Sequence, residues 1–142
     1  MDAQLITPDL VITVRQPWAS AIARGWKGVE FRAHKPPAFD QWVAIHAAAS
    51  ALVNDGVRLC FPAEAAMRRG VIVAAVRFVP CASPATCQRC AYERRVLEAG
   101  GTDTARWPIG WHVIDAVPVE PLKWTGAQGI RRWTGPDLEI EE

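Results

Sequence analysis

The apolar residues of this chain are grouped in short runs, and this grouping most constrains how the chain can fold. The longest run, VIVAAV at residues 71–76, is too short to span a membrane. Short runs that are rich in apolar and β-branched residues and bounded by Gly or Pro are typical of strands. A last short strand is predicted within residues 121–133. The five main strands are predicted at residues 10–15, 27–33, 41–49, 71–79 and 110–119.

Helices are predicted to be few and short. Pro17 precedes the helix-compatible segment WASAIAR and Gly25 follows it, which suits a first turn and a left-handed C-cap. A second short helix is predicted at residues 62–70, which begin with Pro and end with Gly. Residues 80–106 hold three cysteines, a further helix-forming stretch and turn signals, so we interpret them as an insertion between two strands.

The predicted order of elements indicates a mainly β, α+β domain. Closing such a sheet removes its exposed edges, so a small mixed β-barrel is expected. The length of 142 residues suits a single domain, which we expect to cover residues 10–133. Residues 134–142 are expected to form an acidic, mobile tail.

The charge of the chain is unevenly distributed. The formal net charge is +1, but the last six residues hold four acids, and without them the net charge is +5. Thirteen of the sixteen basic residues are arginine, which binds phosphate well, although a GC-rich coding sequence is an equal explanation. A nucleic-acid partner would need a local site, because this charge does not support coating by bulk electrostatics. The start MDAQLITPDL has no basic segment followed by an apolar one, so a cytoplasmic protein is expected.

Four cysteines occur, and three of them are close in sequence. Cys81, Cys87 and Cys90 follow the spacing C-x5-C-x2-C. We interpret them as reduced thiols in a loop, and we assign no metal ligand and no cofactor. The alternative is a zinc site held by these three thiolates, with Cys60 or a histidine as the fourth ligand.

A charged group follows the first predicted helix. In a strand, Glu30 and Arg32 share one face and can pair, while Val29 and Phe31 share the other and pack inward. Lys27 has the wrong parity for the Glu30 face, but Gly28 would permit a bulge or turn that re-aims it. The alternative is a structural salt bridge beside a solvated lysine.

Four further residues are candidates for binding a nucleotide. Arg15 and Gln16 end the first strand, where the arginine can contact phosphate and the amide can read a base edge. Trp18 can stack on a base, or it can be a core aromatic. His46 ends the third strand and is expected either to face the cleft or to be a hydrogen-bonded structural histidine.

Several strings together resemble one known family. GWKGVEFR at residues 25–32 fits G-x-K-x-x-E-x-R, and it is preceded by RQPWA and followed by VAIHAA, GVIVAAVRFVPC and GWHVIDAVPVEPLKWTGAQGI. This order resembles the activating-signal-cointegrator homology (ASCH) family over residues 10–133. The resemblance implies a PUA-like β-barrel and an association with nucleic acid, chiefly RNA, or with nucleosides.

The resemblance leaves several functions open, with binding of RNA, single-stranded nucleic acid or a nucleotide ranked first. Some related proteins resemble amidohydrolases acting on N4-acetylcytidine-type nucleosides. Lys27 matches their lysine, but Glu30 replaces their nucleophilic threonine, so Glu30 would have to act as a general base with Lys27 polarising a carbonyl. Lys27 and Glu30 are the catalytic candidates. A metal-independent ribonuclease and a protein-interaction module are the remaining alternatives. No membrane partner and no obligatory protein partner are predicted.

Overall fold

The computed structural model describes residues 4–51, 68–83, 85–99 and 101–141. These residues form eight strands and two short helices. The elements are β1 (Leu5–Ile6), β2 (Leu10–Gln16), α1 (Trp18–Ala23), β3 (Val29–Arg32), β4 (Val43–Ala51), β5 (Val71–Pro80), α2 (Gln88–Ala99), β6 (Ile109–Lys123), β7 (Arg131–Arg132) and β8 (Leu138–Glu139).

Six of the strands form one curled sheet. Its order is β3–β6–β5–β4–β2–β7, and within it only the pairing of β2 with β4 is parallel. The register shifts within the β5–β6, β4–β5 and β2–β4 pairings. Such bulges increase strand twist, which helps the sheet to curl into a half-barrel. The expected fold class, a mainly β, PUA-like α+β barrel, is thereby confirmed.

The two helices cover one face of this sheet. The larger apolar cluster contains Trp18 and Ile22 of α1, Val29 and Phe31 of β3, and Leu97 of α2, together with the inner residues of β2, β4 and β5. A second cluster lies at the other face. It joins β2, β4 and β5 to the C-terminal segment, and its buried members are Val11, Ala44, Ile72, Ala75, Val119, Trp133 and Leu138.

The end of α1 fixes the start of the charged segment. Gly25 has φ +78°, and its N–H donates to the carbonyl of Ile22, while the N–H of Trp26 donates to that of Ala21. These two bonds form a Schellman motif, which confirms the predicted left-handed cap. The N–H of Lys27 also donates to Ala21 at 3.1 Å, so the helix end holds Lys27 in place before β3 begins.

The five main strands predicted from sequence are present, with shifts of a few residues at their ends. Most of the predicted helix at 62–70 lies outside the described residues, and residues 68–70 are not helical. The helix-forming stretch between β5 and β6 is α2. Neither of the two described helices is long and apolar enough to cross a lipid bilayer.

The acidic C-terminal segment differs from the mobile tail expected. Leu138 and Glu139 form β8, which pairs with Leu5 and Ile6 of β1. Leu138 is 2% exposed, and Ile140 makes an isolated bridge to Val119. The sequence hides this arrangement because single apolar residues alternate with acids in DLEIEE, and of these apolar residues Leu138 packs in the second cluster.

Candidate functional site: a buried charged cluster at β3

Three charged side chains meet at the start of β3, and we call Lys27, Glu30 and Arg32 the charged cluster. Nζ of Lys27 lies 3.4 Å from Oε1 of Glu30, and Nη2 of Arg32 lies 3.4 Å from Oε2 of the same carboxylate. Nζ of Lys27 also donates a hydrogen bond to the carbonyl of Val29. Lys27 is 3% exposed and Glu30 9%, whereas the Arg32 side chain is 23% exposed. Arg32 is therefore the member of the cluster most open to solvent.

Local geometry explains how this cluster forms. Val29 and Phe31 are buried in the main core, and Glu30 pairs with Arg32 on the other face of β3, as alternation predicts. The strand begins at residue 29, so Lys27 lies in the segment before it and is not bound by that alternation. Lys27 reaches Glu30 because it precedes the strand, and its 3% exposure excludes the alternative of a solvated lysine.

Glu30 is held in its charged form by its two partners. Burial raises the pKa of the Glu30 carboxyl. The charges of Lys27 and Arg32 and their hydrogen bonds lower this pKa by more than burial raises it. The net result is a pKa below the ordinary value of 4.5. The cluster therefore contains two cations and one carboxylate at neutral pH, with one positive charge in excess.

Glu93 of α2 supports the cluster from behind, and sequence reasoning missed it. Its two carboxylate oxygens accept the backbone N–H groups of Gly28 at 2.9 Å and Val29 at 3.1 Å. Arg89, one turn earlier on α2, lies 3.6 Å from the same carboxylate. An acid in the middle of a helix carries no local signal for such a role, because its partners are more than sixty residues away in sequence.

A chain of contacts links Arg32 to His46. Nη2 of Arg32 donates to the backbone carbonyl of Thr13 at 3.0 Å, and Oγ1 of Thr13 lies 3.0 Å from Nδ1 of His46. Burial lowers the pKa of His46 below 6.5, although a hydrogen bond with the Trp124 backbone opposes this shift, so the ring is neutral at pH 7. A Cβ on Gly126 would lie 2.3 Å from His46 Nδ1, so the 124–128 loop covers the ring. These contacts support the structural alternative for His46.

Two of the proposed base-contacting residues are used by the fold. The amide nitrogen of Gln16 donates to Oγ of Ser20 and to the carbonyl of Arg68, both at 2.7 Å, and its oxygen accepts the N–H of Ser20. Its bonds to Ser20 cap α1. Because Gln16 is also fully buried, it cannot present its amide to a base. Trp18 is 5% exposed and belongs to the main core. The prediction that it stacks on a base is therefore wrong, and the alternative of a core aromatic is right. Arg15 is exposed, as a phosphate contact requires.

The structure also brings together residues that the sequence left apart. Cys81, Cys87 and Cys90 form one cluster with His112, a residue of β6 that we did not assign to any site. Its position could have been suspected from the alternation of Trp111 and His112, which places them on opposite faces of β6. This cluster lies at the opposite end of α2 from Leu97 and shares no residue with the charged cluster.

No protein-family model matches this sequence, and no curated protein matches it. Solved structures do match. The crystal structure of ASCH from Zymomonas mobilis has a TM-score of 0.53 at 16% sequence identity, covering 87% of this chain and 86% of that one. A mutant ZmASCH from the same organism has the same score and identity, with 89% and 91% covered.

This chain has an ASCH fold. The resemblance seen in the sequence strings is therefore confirmed at the level of the fold. At 16% identity the likeness concerns the ASCH fold alone, so the ligand has to be inferred from the residues of this chain.

Proposed function

We propose that this ASCH-fold protein binds RNA, or a nucleotide carrying a modified base, at the charged cluster. The observation that carries this proposal is the sharing of one ionised carboxylate, Glu30, between Lys27 and Arg32. Such a cluster holds its outermost guanidinium rigidly and keeps one positive charge in excess, which suits a phosphate group.

Arg15 supplies a second, exposed cation. Arg15 follows Thr13 by two residues in β2, about 7 Å along the strand. Arg32 donates a hydrogen bond to the backbone of Thr13, two residues before Arg15, so we propose that the two arginines contact neighbouring groups of one ligand. Two arginines in addition to a rigid anion–cation pair provide a local site, which is what the near-neutral charge of the whole chain requires.

Binding without turnover fits the protonation states better than catalysis does. A general base works best when its pKa is near the working pH, and the pKa of Glu30 is shifted downward, away from it. Deacylation of an N4-acetylcytidine-type nucleoside by Glu30 and Lys27 therefore ranks second. RNA cleavage ranks third, because His46, its other candidate base, is 4% exposed beneath the 124–128 loop.

The test is a titration of the whole protein with cytidine 5′-monophosphate, N4-acetylcytidine and a short single-stranded RNA, followed by amide NMR shifts. We expect Arg32→Ala to weaken binding of the phosphate-containing ligands about 10- to 100-fold, the loss of one charge-assisted contact. Arg15→Ala is expected to weaken it less, because this exposed side chain is less rigidly held. Arg95→Ala, which removes an exposed arginine of α2, is the matched control and should change affinity less than twofold.

The outcomes separate the alternatives. Equal losses of affinity in the Arg32→Ala and Arg95→Ala variants would indicate nonspecific electrostatic attraction and contradict a binding site at the charged cluster. Cytidine released from N4-acetylcytidine by the wild type, and lost in Lys27→Met, would make the protein an amidohydrolase. Shortened RNA in the presence of EDTA would favour a ribonuclease. Absence of any nucleotide-dependent shift would contradict the proposal and leave a protein-interaction module.

A further inference from the structure

Four potential metal ligands converge beside the N-terminus of α2. Cys81 follows β5, Cys87 lies just before α2, Cys90 is in its first turn, and His112 is in β6. Their sulfur and nitrogen atoms all lie within 4.8 Å of one another. Cys90 is buried, and the other three are half-buried. Residues from three separate elements therefore meet at one point, unlike thiols scattered along a loop.

Two distances within this group fit a tetrahedral zinc site. With Zn–S bonds of about 2.3 Å and Zn–N bonds of about 2.0 Å, tetrahedral angles place sulfur and nitrogen about 3.5 Å apart. Nε2 of His112 lies 3.3 Å from Sγ of Cys90 and 3.7 Å from Sγ of Cys87. These two distances lie on either side of the required one, so the imidazole and these two sulfurs need only small movements to fit tetrahedral coordination.

The surroundings of the group are arranged for thiolate ligands. The backbone N–H of Cys90 points at Sγ of Cys87 at 3.4 Å, and such a donor stabilises a metal-bound thiolate. The N–H of Cys81 donates to the carbonyl of Gly110, which fixes the end of β5 against β6. A Cβ on Gly110 would lie 2.8 Å from Sγ of Cys90, so only glycine lets the sulfur approach β6 this closely.

We propose that Cys81, Cys87, Cys90 and His112 bind one Zn²⁺ ion, with Nε2 of His112 as the fourth ligand. Three sulfurs and one imidazole nitrogen in a tetrahedral arrangement select zinc over the oxygen-preferring cations. Four protein ligands leave no open position for water, so the ion has a structural role. This assignment replaces the interpretation of the cysteines as reduced thiols in a loop, and it selects a histidine over Cys60.

A zinc ion at this position would also stabilise the support of the charged cluster. Zinc would join β5, α2 and β6, and α2 carries Glu93, which holds the backbone of Gly28 and Val29. Loss of the metal would therefore loosen the support of the charged cluster. The zinc site stands on its own geometry and does not depend on what the charged cluster binds.

The first experiment measures metal in the full chain, purified under reducing conditions and incubated with equimolar zinc before desalting. Elemental analysis is expected to give about one zinc per chain. Replacement by Co²⁺ should give the thiolate charge-transfer and ligand-field bands of a tetrahedral sulfur–nitrogen site. Alkylation should modify Cys81, Cys87 and Cys90 at least tenfold faster after a chelator removes the metal. Less than a tenth of a zinc per chain would overturn the proposal. A disulfide among these cysteines that persists after purification under reducing conditions would also overturn it.

Paired variants test the identity of the ligands. Cys90→Ser and His112→Ala should lower the zinc content at least tenfold after the same incubation. Cys60→Ser and His34→Ala remove a cysteine and an exposed histidine outside the group, and both should keep about one zinc per chain. Zinc lost in Cys60→Ser and kept in His112→Ala would overturn the assignment of the fourth ligand. The cobalt spectrum of the wild type decides the question even where a variant fails to fold.

Discussion

Glu93 of α2 accepts the backbone N–H of Gly28 at 2.9 Å, across 65 positions of sequence. The second oxygen of the same carboxylate accepts the N–H of Val29 at 3.1 Å. All three residues are buried, so neither N–H group has access to bulk water. One helical side chain thereby satisfies the turn that delivers Lys27 to Glu30.

Glu93→Ala should be strongly destabilising. The variant leaves two buried N–H groups without their acceptor, so we expect the free energy of unfolding to fall by about 2–5 kcal/mol. Urea denaturation measures this change. Arg95→Ala on the exposed face of α2 is the control and should cost less than about 0.5 kcal/mol. Similar values for the two variants would show that Glu93 contributes little to the turn.

Glu30→Gln should remove a pH-dependent part of the stability. Because the folded pKa of Glu30 is below 4.5, the ionised carboxylate stabilises the fold above pH 4.5, and this stabilisation is lost as the pH falls through the folded value. The variant also leaves Lys27 buried without its anion. We expect a loss of about 3 kcal/mol at pH 7 that shrinks towards pH 3.

Urea denaturation between pH 7 and pH 3 measures that difference. Glu120→Gln, on an exposed position of β6, is the matched control and should differ little from the wild type at any of these pH values. A constant difference between Glu30→Gln and wild type across the range would mean that the pKa of Glu30 is not lowered.

Leu138→Ala tests whether the C-terminal segment is packed on the domain. Leu138 is 2% exposed against the second apolar cluster, so its truncation should cost about 2–5 kcal/mol. Leu5 lies on the paired strand β1 and is 57% exposed, so Leu5→Ala should cost less than about 0.5 kcal/mol. Equally small effects in thermal or urea unfolding would restore the mobile tail expected from composition.

Gly110→Ala should push α2 away from β6. The added Cβ would lie 2.8 Å from Sγ of Cys90 and 3.2 Å from Cγ1 of Val29, and such overpacking costs about 1–3 kcal/mol. The double variant Gly110→Ala/Cys90→Ala removes the nearest atom, so its loss should be smaller than the sum of the two single losses. Additive losses would indicate that the two residues do not crowd each other.

Local chemistry was sufficient for much of the fold. β-Branched runs predicted the main strands, and the position of Gly25 predicted the end of α1. Strand alternation also predicted the Glu30–Arg32 pair and the inward packing of Val29 and Phe31. These features depend on residues a few positions apart, where backbone geometry fixes which side chains share a face.

Sequence reasoning failed where a side chain of suitable chemistry had a structural partner elsewhere in the chain. Gln16 and Trp18 have the right groups to bind a base, but one caps α1 and the other fills the core. His46 is covered by a loop almost eighty residues away. No local pattern reports such partners, because they depend on how the sheet curls.

The sequence by itself determined where the five main strands lie, where α1 ends and that Glu30 and Arg32 share one face of β3. The tertiary structure alone decided that Glu93 supports this cluster and that His112 meets three cysteines. The physical reason is that alternation and capping act over a few residues. Contacts across the curled sheet depend instead on the packing of α2 against β3 and β6, which no single segment encodes.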